Sequence, residues 1–229
     1  MFWMPNGETK PIELTIVYYG ISQSGKTTNL KKLHEMGELD DFIKITVADK
    51  WQGGDKKRRI CVDFATKNIT LDDYTISLTL YAYPAQSGYG VKTLRKVDGI
   101  VFVVDSQRKK LAENIKLYNR LKEDLLYIGK RFEDVPLFLQ FEKTDSPNPI
   151  LESYLKDPTL ENSLEDVSLV FQYNKMDYAD AVSYEELEKA INPYGYPSMP
   201  AIATRGEGVL ETFRILESIL ISKIRGALL

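Results

Sequence analysis

At 229 residues, with 28% charged side chains and a formal net charge of −3, the chain is long enough for one α/β domain with insertions. It carries no global field that would draw it to nucleic acid or an anionic membrane, so partners must be recognised locally. The single cysteine, Cys61, has no partner for an internal disulfide, which fits a reducing cytosol, and the single histidine, His34, argues against a His-cluster metal enzyme.

The chain opens on the apolar Met1-Phe2-Trp3-Met4-Pro5, but Asn6, Gly7, Glu8 and Lys10 follow too soon for a signal core or membrane span. Residues 1–11 are therefore expected to be a tail or packing strand, ahead of a single domain over 12–229. Residues 14–19 (Leu-Thr-Ile-Val-Tyr-Tyr) are β-branched and aromatic and end at Gly20, as a buried first strand should. Helical spacing follows over 27–34. Further strands are predicted over 60–64, 74–81 and 99–104, and helices over 111–128, over 184–191 behind the N-cap residue Ser183, and over 209–224. Strands interleaved with helices predict an α/β fold with a mostly parallel, doubly wound sheet. Residues 135–145 are echoed by 167–177, and the stretch between them, with Pro147, Pro149 and Pro158 among polar residues, reads as an insertion at about 142–166. Only the second copy carries Asn174. Nothing at residue 2 invites myristoylation and the C-terminal Gly226-Ala227-Leu228-Leu229 has no prenylatable cysteine, so no stable membrane anchor is expected.

Between the first strand and the first helix, Gly20-Ile21-Ser22-Gln23-Ser24-Gly25-Lys26-Thr27 satisfies the G-x-x-x-x-G-K-[ST] pattern of a phosphate-binding P-loop. Glycines let the backbone wrap closely, inward N–H groups and the helix N-terminus attract phosphate, Lys26 reaches the β- and γ-phosphates, and the Thr27 hydroxyl ligates Mg²⁺. The nucleotide-binding set here is Gly20, Ser22, Ser24, Gly25, Lys26, Thr27 and Thr28. A P-loop alone does not choose between ATP and GTP. That choice rests on Asn174-Lys175-Met176-Asp177, because an Asp177 carboxylate matches the paired N1–H and amine donors of guanine, and unpaired buried acceptors reject the wrong base by about 10⁴ or more. Alone, Asn-Lys-x-Asp reads as a polar loop after a strand; in order after the P-loop it reads as a guanine site.

These motifs, with Ser24-Gly25-Lys26-Thr27-Thr28-Asn29-Leu30, residues 97–107 (Val-Asp-Gly-Ile-Val-Phe-Val-Val-Asp-Ser-Gln) and Gln172-Tyr173-Asn174-Lys175, make the chain similar to the MglA-type bacterial Ras-like GTPases of gliding motility and cell polarity, over roughly residues 12 to 224 apart from the insertion. The resemblance implies a Ras-like G domain of the P-loop NTPase class, GTP/GDP and Mg²⁺ as ligands, cytoplasmic location, and a Roadblock/LC7-type, MglB-like homodimeric activating protein as partner. It also implies that Ala203 presents an N–H to the guanine carbonyl, with Thr204 where Ras relatives usually carry lysine.

The same resemblance marks departures. Tyr83-Pro84-Ala85-Gln86 matches the second switch, but Ala85 replaces the glycine that supplies a γ-phosphate N–H, so slow or incomplete switching is expected. Gln86 is the candidate for orienting the attacking water, against the plainer reading of an exposed loop glutamine. Arg58 or Arg59 is the candidate arginine finger, against a solvated charge run over Lys56-Lys57-Arg58-Arg59. No first-switch threonine is found, Arg59 standing in its place. Ala82 stands where Ras relatives carry a magnesium-ordering aspartate, and Asp63 is the candidate replacement. Tyr81, Tyr83 and Tyr89 read as a partner surface or as strand packing, and Cys61 as a small buried hydrophobe. Three functions stay open: a slow GTPase switch, a nucleotide-binding interaction module that hydrolyses little, and a P-loop ATPase or kinase.

Overall fold

The alternation of strands and helices resolves into one mixed sheet. The computed structural model describes residues 12–49, 58–71, 74–82, 94–132 and 165–228. In chain order these form β1 (Ile12–Tyr19), α1 (Lys26–Glu35), β2 (Asp41–Asp49), β3 (Arg58–Leu71), β4 (Tyr74–Ala82), β5 (Gly99–Asp105), a 3₁₀ turn (Arg108–Lys110), α2 (Leu111–Tyr127), β6 (Lys130–Phe132), β7 (Glu165–Asn174), α3 (Tyr184–Ile191), β8 (Ser198–Pro200) and α4 (Val209–Leu228). The strands lie in the order β2-β3-β4-β1-β5-β7-β6, with β8 also on β7. Described pairings are parallel except those of β3 with β2 and β4. This is the Ras-like P-loop architecture, a mostly parallel sheet doubly wound by helices.

Burial explains the winding. In β5 all seven residues are buried, the signature of a strand covered on both faces. Ile100, Phe102 and Val104 join Tyr118, Leu121 and Leu125 of α2 and Leu187 and Ile191 of α3 in one core. Val101 and Val103 join Leu30 and Leu33 of α1 and Phe213 and Leu216 of α4 in the other. Phe102, Phe171 and Tyr118 pack edge-on at 5.2–5.6 Å, and truncating either phenylalanine should cost about 3–5 kcal/mol.

The same alternation aims the site. Along β7, Val167, Leu169, Phe171 and Tyr173 belong to the α2/α3 core, so Gln172 and Asn174 face α1 and α4. Gln172 Nε2 donates to Asn29 Oδ1 of α1 at 2.8 Å and to Thr212 Oγ1 of α4 at 3.1 Å. Strand β7 is thereby tied to the helix that follows the P-loop.

Several expectations need correcting. The strand predicted over 60–64 runs from Arg58 to Leu71. Its second half holds Lys67 and Asn68, polar residues that the antiparallel ladder with β4 tolerates, Ser77 Oγ donating to Asn68 Oδ1 at 2.7 Å. Strands β2, β6 and β8 had no counterpart among the predicted elements. Residues 165 and 166, assigned to the insertion, begin β7: Glu165 and Asp166 pair with Lys130 and Arg131 of β6, and Arg131 Nε donates to Asp166 Oδ1 at 2.9 Å. The remainder of the expected insertion, the echo at 135–145 and the tail at 1–11 lie outside the described residues.

Candidate functional site

The loop after β1 is pressed between strand ends that leave no room for side chains at its two glycines. A Cβ on Gly20 would lie 2.3 Å from the Val103 carbonyl oxygen, and one on Gly25, whose φ is +107°, would lie 2.1 Å from Asn174 Nδ2. Gln23 also takes a positive φ, +63°. At the start of α1, Gly25 offers no side-chain cap and the first turn holds no acid, so the positive helix end is left to an external anion. Lys26 is buried, its Nζ donating to the Gly20 carbonyl at 2.9 Å and the Ile21 carbonyl at 2.5 Å. Burial pulls its ammonium down to about 8. A desolvated cation inside a curl of backbone suits phosphate oxygens. Ser22 is exposed at the loop surface, and the buried Ser24 hydroxyl has no hydrogen-bond partner among the described residues.

Beside the loop, Thr27 Oγ1 donates to Asp63 Oδ2. Asp63 is buried on β3 directly opposite Ala82 of β4, and its Oδ1 is without a partner among the described residues. A hydroxyl and a half-satisfied carboxylate are hard oxygen donors, and so few of them suit Mg²⁺, which keeps several waters. Among the described residues no cluster of three or more His, Cys, Asp or Glu offers a denser metal site.

The end of β7 and the residues after it converge on the same loop. Asn174 Nδ2 donates to the Ser24 carbonyl at 2.7 Å, while Asn174 Oδ1 accepts the Ala203 amide at 2.9 Å. The Ala203 N–H, which the resemblance aimed at a guanine carbonyl, is thus engaged by Asn174. Lys175 has φ +68°, and its Nζ lies 2.6 Å from Asp105 Oδ2 and 5.7 Å from the ring centroid of Tyr178. The Asp177 side chain is 28% exposed, its ion-pair partner Arg205 standing at 3.8 Å, a contact loose enough for the carboxylate to accept other donors. A cavity of about 100 Å³ brings together Gly25, Thr28, Asn174, Lys175, Asp177, Ala203 and Thr204, with Gln23, Tyr178 and Ile202 completing its walls. A larger hollow of about 680 Å³ lies along α2 from Ala112 to Asp124, but one helix supplies all its lining and no convergent set of groups.

Other predicted residues fall elsewhere. The backbone of Arg58 and Arg59 opens β3 opposite Asp49 and Ala48, and their side chains lie outside the description. Tyr83, Ala85, Gln86 and Tyr89 are outside the described residues, as is the side chain of Cys61. Tyr81 packs against the core and lies 5.7 Å from the Phe64 ring, the strand-packing alternative. Tyr178 and Asp105 were not anticipated. An acid ending an otherwise apolar parallel strand is a legible hint, since ligands in such sheets gather at strand C-termini.

No model of a known protein family matches the chain. The chain is similar to the mutual gliding-motility protein MglA of Myxococcus xanthus (strain DK1622), at 25% identity over 224 residues, which are 96% of this chain and 96% of that protein. It resembles MglA-type small GTPases over nearly its whole length.

Proposed function

We propose that this chain is a GTP/GDP switch that binds guanine nucleotide with Mg²⁺, hydrolyses GTP slowly unaided, and changes partner affinity with the bound nucleotide. The observation that carries the reading is the single cavity in which Gly25 and Thr28 of the P-loop meet Asn174, Lys175 and Asp177. In this reading Lys26 and the amides of residues 20–28 hold the phosphates, Asp177 accepts the guanine donors, and Thr27 and Asp63 hold the metal, which neutralises phosphate charge when bound. Gln86 positions the attacking water and Arg58 or Arg59 offsets the charge on the leaving diphosphate, the γ-phosphoryl group passing from GTP to water to give GDP and phosphate.

The proposed setting is cytoplasmic, in cell polarity or surface motility, with a Roadblock/LC7-type activator and no nucleic-acid partner. No helix among the described residues is long and apolar enough to cross a membrane. Mass spectrometry of nucleotide copurified with the protein, followed by ATP and GTP competition, tests the reading; a clear ATP preference would remove the guanine assignment. Single-turnover hydrolysis with and without activator tests the enzyme, and no phosphate release under either condition would leave a nucleotide-binding module.

A further inference from the structure

Behind the base side of the cavity stands a carboxylate that the P-loop and guanine motifs leave without a role. Asp105 ends β5 and is 2% exposed. Its Oδ2 lies 2.6 Å from Lys175 Nζ, and its Oδ1 accepts the Gln107 amide at 3.2 Å. Its backbone is clamped on both sides by Asn114, whose Oδ1 accepts the Asp105 N–H at 3.3 Å and whose Nδ2 donates to the Asp105 carbonyl at 2.9 Å. In the parallel ladder Asp105 sits beside Asn174, and the Ser106 N–H donates to the Asn174 carbonyl at 3.0 Å.

Lys175 needs such an anchor. Its φ of +68° is one that a residue with a side chain holds only when its surroundings over-determine it. Its side chain runs from that backbone to the buried carboxylate, and Lys175 lines the cavity together with Asn174 and Asp177. Each partner depends on the other, because a buried carboxylate stripped of its ammonium is an uncompensated charge.

We propose that Asp105 is a positioning residue for nucleotide retention: it holds the Lys175 stem as a fixed wall and, through it, the turn that carries Asn174 and Asp177. The proposal rests on the guanine-nucleotide reading and divides the labour within it. Asp177 selects the base, and Asp105 sets how long the nucleotide stays.

The test uses the full chain loaded with a fluorescent GDP analogue and chased with excess GDP, comparing wild type, Asp105→Asn, Lys175→Met and the double variant. A lost charge-assisted bond predicts release faster by about tenfold or more in each single variant. The double variant should release no faster than Lys175→Met alone, since Asp105 acts through Lys175. Asp105→Asn should keep the wild-type preference for guanine over xanthine nucleotide, which a general loosening of the fold would not spare. Release from Asp105→Asn at the wild-type rate, or effects that multiply in the double variant, would overturn the proposal. Should Asp105→Asn fail to fold, Asp105→Glu keeps the charge and displaces it by one methylene; faster release supports the proposal and wild-type release overturns it. A wild type that takes up no GDP analogue sinks the guanine reading together with this one, whereas a wild type that retains it beside an unchanged variant sinks this one alone.

Discussion

Replacing Gly25 by alanine tests the geometry on which the site depends. The added methyl would lie 2.1 Å from Asn174 Nδ2, at a φ of +107° that favours glycine. Backbone strain of this kind costs roughly 1–2 kcal/mol. To relieve the contact Asn174 must withdraw by about an ångström, which breaks its bonds to the Ser24 carbonyl at 2.7 Å and the Ala203 amide at 2.9 Å. Each buried group left unpaired costs about 1–3 kcal/mol. The sum is on the order of 3–8 kcal/mol, so GDP affinity should fall at least about a hundredfold. Competition against a fluorescent GDP analogue reads the affinity, and a thermal melt of the free protein shows that the variant is folded. Gly37→Ala is the control: its φ is +76° but nothing lies within 4 Å of the added methyl, so it should lower stability and leave affinity alone. A folded Gly25→Ala protein binding GDP within about threefold of wild type would refute the clash, since that ratio is worth less than 1 kcal/mol.

Asp177→Asn should weaken GDP by about ten- to a hundredfold and shift preference toward xanthine nucleotides, whose edge carries an acceptor in place of the amine. Arg205→Ala, which removes an exposed partner 3.8 Å away, should change affinity by less than about 1 kcal/mol; competition titrations check both, and an unaltered base preference in Asp177→Asn counts against its assignment. Chelating Mg²⁺ should speed GDP release from wild type, and in Asp63→Ala the same chelator should have little further effect. Equal acceleration in both proteins would show that Asp63 does not hold the metal. At the far end of α1, burial raises the Glu38 carboxyl, but the Lys67 hydrogen bond and the Arg214 and Lys67 charges outweigh it and hold the group below its ordinary 4.5. A depressed folded value means stability present above the unfolded value and lost as pH falls through the folded one. Urea unfolding should therefore find wild type more stable than Glu38→Gln by about 1 kcal/mol at pH 7, with the gap closing below about pH 4; a gap that widens in acid contradicts the sign.

What could be read in advance followed local rules. Continuous apolar residues made β5 visible, since a strand covered on both faces has no polar alternation to hide it. Ser183 was readable as an N-cap, and its hydroxyl accepts the Glu186 amide at 3.2 Å. The strands that escaped were those whose pattern is weak: β6 and β8 have three residues each, too few for a period, and in β2 adjacent Phe42 and Ile43 break the alternation. In the site, the P-loop pattern and the Asn-Lys-x-Asp run are each compact in sequence and visible without a structure. The contacts that join them are not compact. Gln172 meets Asn29 across 143 positions and Lys175 meets Asp105 across 70, pairings that only the strand order creates.

The echo between residues 135–145 and 167–177 shows how chemistry narrows what periodicity leaves open. The two segments share an apolar run and end in Lys-x-Asp, so pattern alone would place either beside the P-loop. They differ at Glu142 against Asn174. The position facing the loop must give a hydrogen to the Ser24 carbonyl and take one from the Ala203 amide, and one primary amide does both. An ionised glutamate only accepts, so it would set an oxygen against the Ser24 carbonyl and bury a charge there. The strand beside β5 is accordingly the one that ends in asparagine. The side chain that completes this bridge also touches the space a Gly25 side chain would need, so the glycine of the P-loop and the asparagine of the base motif are a matched pair.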